Sequence, residues 1–556
     1  MLVFTMYIDI STMKKNGKTY TRALIRESYR EGWEVKKRTI ANISNCPREE
    51  IEAIRLALKH KNNLSELVTV SEEMKLKQGI SIGSVFTLNT LCNQLGITKA
   101  LGHSREAKLT LWMIIARIIH PCSKLATVRM ARQYAACDVL DLNSFNEDDL
   151  YYTLDWLYEK QEKIEKRLFQ QKYPNSEIKP KLFLYDVTSS YLEGTENELA
   201  EFGYDRDGKK GKKQIVIGLL SDKNGEPLAT EVFEGNTKDN ETFYNQIEKI
   251  AKRFGCKKVT MVGDRGMIKS NQIKALFKRK ENFHYITAIT KPQIRTLINQ
   301  GIIQTGLFDD KLCEIESDRI RYVLRKNPVR VKEIRETRES KLNKIRDEVA
   351  KENRYLLEHP RALESTAVSK VTTWIIKLKI DGFVECICNN RVLSLKIDDE
   401  KLEEISLLDG CYVIKTDLPK DFANKDTVHE RYKDLKYVES AFRTMKTGLL
   451  EIRPLFLRNA ERTRAHVFMV MLAYKVTKLI QEKWRNLDVT VEEGIDELSN
   501  LCCIEVRVRT VRFNSIPEPS ALGKRLLNEL DVVVPHAIRA KGVNVATRQS
   551  LEVNRK

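Results

Sequence analysis

The chain has 556 residues, 42% of them hydrophobic and 31% charged, too many for one core and suited to two to four globular domains or sub-domains. Its 96 Lys and Arg stand against 77 Asp and Glu, a net charge of +19 that favours a polyanionic partner, nucleic acid before an anionic membrane surface. The eleven cysteines are scattered with no Cys-x-x-Cys pair, which argues against a zinc ribbon and for reduced, buried thiols. Met1 to Ile10 is apolar but lacks a basic leader and carries Asp9. The most apolar later stretch, His466 to Ile480, is interrupted by Lys475 and Lys478 and is too short to span a bilayer. A cytoplasmic, nucleoid-associated chain with no membrane partner is the expectation.

Residues 1–46 alternate as strands do. The runs Leu2 to Ile8, Tyr20 to Ile25 and Trp33 to Ile40 are separated by Asn16-Gly17 and Glu31-Gly32 turns, which predicts a small basic β-meander. Residues 47–175 are predicted as a helical region for DNA binding or dimerisation. Pro47-Arg48-Glu49-Glu50 opens one helix, Leu109 to Ile119 and Ser123 to Ala136 form a pair broken at His120-Pro121, and Asp148 to Phe169 follows.

From residue 176 the pattern changes. Leu182-Phe183-Leu184-Tyr185 runs apolar into Asp186, as a buried strand does, and Gln214 to Leu220 is a second strand. Asn224-Gly225 turns the chain into a third, Pro227 to Phe233. A helix is predicted over Asp239 to Phe254, with Asp239 or Asn240 as its cap. Lys258 to Val262 is a fourth strand ending at Gly263-Asp264-Arg265-Gly266, then come a helix, Ser270 to Arg279, and a fifth strand, Phe283 to Ile289. Three strands, helix, strand, helix, strand is the order of an RNase H-like α/β core, a mixed sheet covered by helices.

Residues 291–429 read as a helical and β-rich insertion. They hold a charged helix, Val331 to Leu357, and strands at Thr372 to Leu378, Gly382 to Ile387, Val392 to Leu395 and Gly410 to Ile414. The core resumes over residues 430–485, with a second buried helix at Arg462 to Gln481. Residues 486–556 form a tail region with a strand, Ile504 to Val508, and a helix, Ser520 to Glu529.

The segment Tyr432 to Lys446, taken as one helix, lines up Leu435, Val438, Phe442 and Met445 as an apolar seam. Positions seven apart drift by only about 20° around a helix, so Tyr432, Glu439 and Lys446 share a neighbouring face, joined by Lys436 and Arg443. A lone carboxylate among groups that bind phosphate suits a site that holds a metal and a nucleic-acid backbone together. In an RNase H-like core one acid sits on the first strand, one after the fourth, and one on a helix beyond the fifth; Asp186, Asp264 and Glu439 fall at those places. Carboxylates converging from three elements are what two-metal phosphoryl chemistry requires.

On Tyr185-Asp186-Val187-Thr188-Ser189, Val262-Gly263-Asp264-Arg265-Gly266 and Tyr432…Glu439…Lys446, the chain resembles the DDE transposases of bacterial insertion sequences, in their insertion-sequence-four-like branch. Its last motif keeps the Tyr-x2-Arg-x3-Glu-x6-Lys spacing but has Leu435 in place of Arg, which points to a divergent subgroup. Gly203 to Gln214 and Phe233 to Asp239 support the match. The resemblance implies a metal-dependent nuclease and strand-transfer enzyme using two Mg²⁺ (or Mn²⁺) ions on Asp186, Asp264 and Glu439. Its partners would be the double-stranded DNA of terminal inverted repeats and target, bound as a homodimer. Arg443, Lys446 and Lys436 would hold phosphates, and Tyr432 a phosphate or a base. Arg265 would contact DNA or neutralise the acids, and Lys213 belongs to a basic loop, residues 204–213, that suits phosphate tracking or is a solvated turn. Trp374 reads as a buried strand residue, Asp239 as a helix cap and His466 as a core histidine. A nuclease without transposition and a domesticated DNA-binding protein with a dead site are the alternatives.

Overall fold

A computed structural model describes residues 5–15, 18–31, 34–59, 74–175, 179–204, 206–209, 211–265, 267–268, 282–452, 455–508, 511–539 and 541–548. The helix expected over Ser270 to Arg279 lies outside them. The chain forms two compact units, one of Met1–Ser81, Leu501–Glu518 and Pro535–Ala540, the other of Ile82–Asn500, Pro519–Val534 and Lys541–Lys556.

In the first unit β1 (Thr5–Lys15), β2 (Lys18–Glu31) and β3 (Glu34–Asn42) make the expected antiparallel meander. α1 (Arg48–Lys59) sets Ile51 against Ala23 and Ile43. Within the stretch predicted as helical the structure instead has β4 (Met74–Ser81). Its partner is the strand at Cys502–Val508, antiparallel with Leu76 opposite Val506. That pairing spans most of the polymer, so no local signal announces it. Gly79 permits it: a Cβ there would stand 2.4 Å from the Cys503 carbonyl oxygen.

The second unit opens with α2 (Gly83–Gln94), α3 (Arg105–Ile119), α4 (Lys124–Met130) and α5 (Glu147–Lys172). Ser104 and Ser123 cap α3 and α4 by accepting from Ala107 and Ala126 N–H, and Asn146 with Asp149 forms a capping box for α5. α3 is buried almost all round, Trp112 included, so it is a core helix. Among the described residues no single helix is long and apolar enough to cross a membrane.

Next come β5 (Leu182–Tyr191), β6 (Gln214–Asp222), β7 (Pro227–Phe233), α6 (Asp239–Glu248), β8 (Lys258–Gly263) and β9 (Asn282–Ala288), in the predicted order. α6 widens into a π turn over Lys249–Arg253. β5, β8 and β9 run parallel at the centre, and β6 and β7 continue as antiparallel neighbours.

The stretch from 291 divides. α7 (Lys291–Asn299) leads to β10 (Cys313–Ser317) and β11 (Ile320–Lys326), then α8 (Pro328–Glu358), α9 (Glu364–Lys377), β12 (Val384–Asn389), β13 (Val392–Ile397), α10 (Asp399–Ser406) and β14 (Cys411–Thr416). β10, β11 and β14 extend the central sheet, whose order is β10-β11-β14-β9-β8-β5-β6-β7. β12 and β13 stand apart as a hairpin over α8 and α9, around Ile345, Val349, Val371, Ile375 and Leu393. The strand expected at Thr372 to Leu378 is therefore wrong. Thr372-Thr373-Trp374-Ile375-Ile376 has β-type composition, but Ala367, Val371 and Ile375 recur every four residues and pack on α8, and that helical stripe decides.

The chain continues through α11 (Lys425–Lys433), α12 (Leu435–Lys446), α13 (Ala460–Lys483), α14 (Val491–Ser499), β15 (Cys502–Val508), β16 (Val511–Ser515), α15 (Ala521–Glu529) and β17 (Ala537–Ile538). β15, β16, β17 and β4 form the second sheet of the first unit. The predicted single helix over Tyr432 to Lys446 is broken at Asp434, which closes α11 and opens α12. Asp is a weak helix-interior residue, and the two pieces pack on different elements, α11 on β9 and β14, α12 on β5 and α13. All eleven cysteines are free thiols, as expected, though only six of them are buried and five are half-buried.

Candidate active site

β5 points Phe183, Tyr185 and Val187 to one face of the sheet and Leu184, Asp186 and Thr188 to the other. The first set packs with Phe243 of α6. Room for the Tyr185 ring comes from Gly218 on β6, where a Cβ would meet the phenol oxygen at 2.4 Å. Parallel pairing of β5 with β8 sets Tyr185 opposite Gly263, so Asp186 and Asp264 are next in line on neighbouring strands. α12 crosses the same face, burying Leu435, Val438, Ala441, Phe442 and Met445 and leaving Glu439 exposed beside Val438.

The three acids meet electrostatically. Burial pushes the Asp186 carboxyl up to about 7; a Val187 backbone hydrogen bond opposes this, and the charges of Asp264, Glu439 and Asp239 add to it. Since the folded value lies above the ordinary 3.8, this group's stabilising contribution is complete below 3.8 and is lost as pH rises through about 7. In metal-free protein the melting temperature of Asp186→Asn, measured against wild type across that range, is expected to gain on wild type as pH rises.

Asp264 is held in place. Its Oδ1 accepts the Arg265 N–H at 2.7 Å and the Tyr432 hydroxyl at 3.0 Å, while its carbonyl accepts from Thr287 Oγ1 at 3.2 Å. Burial, with the charge of Asp264, raises the Tyr432 phenol and keeps it a donor. Tyr432, expected beside Glu439 on one helix, thus reaches the site from α11 and is committed to Asp264. Tyr432→Phe removes a hydrogen bond to a charged acceptor, so DNA-cleavage rate should fall about tenfold or more with little change in DNA affinity. Single-turnover cleavage and gel-shift measurements check this.

The basic candidates separate. Lys446 turns inward, its Nζ donating to Thr188 Oγ1 at 2.9 Å and pairing with Asp207. Arg443 and Lys436 are exposed on α12, with Lys436 Nζ 5.1 Å from the Tyr437 ring centre, and Arg265 is exposed beside Asp264. Lys213 is half-buried over the Phe202 ring at 5.9 Å. In the 204–213 loop Arg206 pairs with Asp239 and Lys212 with Glu193, so it is an ion-paired loop folded on the core. Asp239 occupies the first turn of α6 and serves Arg206. Sequence reasoning missed the Lys446–Asp207 pair; the alternation of acids and bases after Tyr204 is the signal that carried it. Trp374 lies on a helix, not a strand, between Lys344 Nζ at 5.0 Å and Lys377 Nζ at 4.2 Å. His466 is buried, as expected of a core histidine, but it is not the satisfied one expected: its Nδ1 has no hydrogen-bond partner among the described residues.

Hard carboxylate oxygens are the donors a Mg²⁺-type ion takes. Among the described residues Asp186, Asp264 and Glu439 form no ion pair, in a chain of charge +19, and a cation there would relieve their mutual repulsion. Among the same residues no three His, Cys, Asp or Glu side chains stand close enough to make a finished cage. By donor type the three carboxylates suit a divalent ion, but among the described residues they are not drawn together into a group that could hold one.

Residues 177–475, just over half of the chain, match the family model of the transposase DDE domain. The chain belongs to the DDE transposases. In this DDE transposase, residues 8–72 also match the N-terminal domain model of IS1634 family transposases, which makes it the transposase of an insertion sequence. No curated protein matches it. Among solved structures, the cryo-EM structure of the piggyBac transposase synaptic complex with hairpin DNA is similar at 8% identity, over 80% of this chain and 82% of that one, with a TM-score of 0.33. The transposase acts on DNA, depends on a divalent metal, and has the RNase H-like core at β5 to β9.

Proposed function

We propose that this transposase cuts DNA at the terminal inverted repeats of its insertion sequence and joins the freed ends to target DNA, with Asp186, Asp264 and Glu439 as the catalytic carboxylates. What supports the reading is the placement of Asp186 on β5 next to Asp264 after the paired strand β8, with the charges of Asp264 and Glu439 both acting on the buried Asp186 carboxyl. Two Mg²⁺ (or Mn²⁺) ions, when bound, supply Lewis acidity for the attacking and leaving oxygens. Asp264, oriented by Tyr432 and the Arg265 backbone, and Asp186 on its rigid strand set the geometry, and Glu439 completes the donor set from α12. Arg443, Lys436 and Arg265 are exposed beside these acids and suit the phosphates of the cut strand, and Lys446 joins them on release from Asp207. Lys213 and Tyr432 adjoin that path.

In this reading residues 47–175 serve DNA binding or dimerisation, residues 1–46 are a small basic meander that touches DNA or acts as a structural cap, the core segments 176–290 and 430–485 are separated by 291–429, and 486–556 is a tail. A homodimer on paired ends is the working assembly. Leu435 in place of the motif Arg fits a divergent subgroup of the insertion-sequence-four-like branch. The test is strand transfer by the full chain from a pre-cut end duplex in Mg²⁺: joined product supports transposition, EDTA removes it, and cleavage without joining favours a nuclease.

A further inference from the structure

Four Lys or Arg side chains are buried among the described residues: Lys124, Lys249, Arg321 and Lys475. Three of them have a carboxylate partner: Glu231 at 3.3 Å for Lys249, Glu314 at 2.6 Å for Arg321, and Glu226 for Lys475. Lys124 has none. It opens α4 and lines a cavity of about 330 Å³ together with Arg117 of α3 and His466 of α13. Among the described residues Arg117 donates only to backbone oxygens, those of Cys122 at 3.3 Å and Glu451 at 3.5 Å. His466 Nδ1 is buried with no hydrogen-bond partner among the described residues. Glu451 is the one acid on the lining, and it is exposed.

An uncompensated buried cation costs several kcal/mol, and an apolar residue of similar volume would be the more stable choice. Here three nitrogen-bearing groups converge on the same space. Burial, then the charge of Arg117, brings the Lys124 ammonium down to about 7, and burial with the charges of Lys124 and Arg117 holds His466 neutral. The charge of Glu451 acts on Arg117, but among the described residues no carboxylate acts on Lys124 or His466, and a negative charge in the cavity would face all three. The cavity has the volume of a small-molecule site, larger than a bare phosphate needs. Tyr151 and exposed Phe456 add aromatic surface, on which a nucleobase stacks favourably.

We propose that the cavity between α3, α4 and α13 is a nucleotide-binding site, in which Arg117, Lys124 and His466 take the phosphate and Phe456 and Tyr151 take the base. The nucleotide comes either free in solution or as one unit of a DNA strand. This site is independent of the three acids.

The test uses the full chain, with melting temperature and direct binding read for dAMP and for a single-stranded oligonucleotide. Wild type should bind at least one of them and melt higher when it is present. Lys124→Met, which keeps length and removes charge, should melt above wild type without ligand. It should bind about tenfold or more weakly and lose the ligand-induced rise. His466→Gln should weaken binding in the same direction, and Asp264→Asn should bind as wild type does. Binding of dAMP assigns a free-nucleotide site, and binding of the oligonucleotide alone assigns a strand-tracking site; both support the proposal. No binding by wild type, or binding and a melting rise kept in Lys124→Met, overturns it.

Discussion

Asp264→Asn lowers end cleavage by about a thousandfold or more and leaves end binding nearly unchanged. The size follows from the several kcal/mol that a correctly held metal contributes to phosphoryl transfer, each 1.36 kcal/mol being about tenfold in rate. The selectivity follows from local structure. An Asn side-chain oxygen still accepts from the Arg265 N–H and the Tyr432 hydroxyl, so the turn after β8 keeps its shape while the charge is gone. With that charge removed, one of the repulsions acting on Asp186 is relieved, and its carboxyl moves back toward the ordinary range. Mg²⁺-dependent nicking of an end duplex, run beside a gel shift on the same DNA, measures both quantities. Matching losses in the two would identify Asp264 as a structural acid and remove it from the site.

Glu226→Ala should destabilise the second unit by about 3–5 kcal/mol, the cost of stranding a buried charge. Lys475 sits inside α13, and its Nζ pairs with Glu226 and donates to the Pro227 carbonyl at 3.1 Å. Burial pushes the Glu226 carboxyl up, but the charges of Lys475, Lys172 and Lys478 more than offset it and hold it below the usual range. The pair ties the helix behind the active site to the β6–β7 turn. Lys478 adds a bond to the Asn224 carbonyl at 2.9 Å. Denaturant unfolding of Glu226→Ala measures the loss, and the double variant Glu226→Leu with Lys475→Met should recover most of it, because the buried Lys475 charge goes with its partner while Lys478 keeps Glu482 at 3.7 Å and the Asn224 carbonyl. Failure of the double variant to recover would show that the turn needs the carboxylate for its own backbone.

Much of the core was legible along the chain. The apolar runs of β5 and β6 end at Asp186 and Asp222 and that of β8 at Gly263-Asp264, and side-chain alternation alone places Asp186 on the face opposite Tyr185. The seam of Leu435, Val438, Phe442 and Met445 shows which side of α12 is buried, and hence that Glu439 lies at its margin. Two further strands left a readable trace that the sequence reading did not use. Cys313 to Ser317 alternates, and Asp318-Arg319 turns it into β11 with φ of 51° and 63°, a type I′ hairpin made without glycine.

Charge pattern and local periodicity thus determined the kind of partner, the order of core elements and the acids at their ends, because those depend on neighbours a few residues away. The tertiary structure alone decided the rest, because those outcomes depend on groups far apart in the chain. β14 joins β9 with Ile414 opposite Ala288, and β4 finds β15, by pairings no local window contains. The break at Asp434 sends Tyr432 to Asp264, and the inward turn of Lys446 is fixed by Asp207, which lies on another element. The same holds for the lysines on α13 that interrupt its apolar run: Lys475 meets Glu226 of the β6–β7 turn, and Lys478 is shared by Glu226, the Asn224 carbonyl and Glu482.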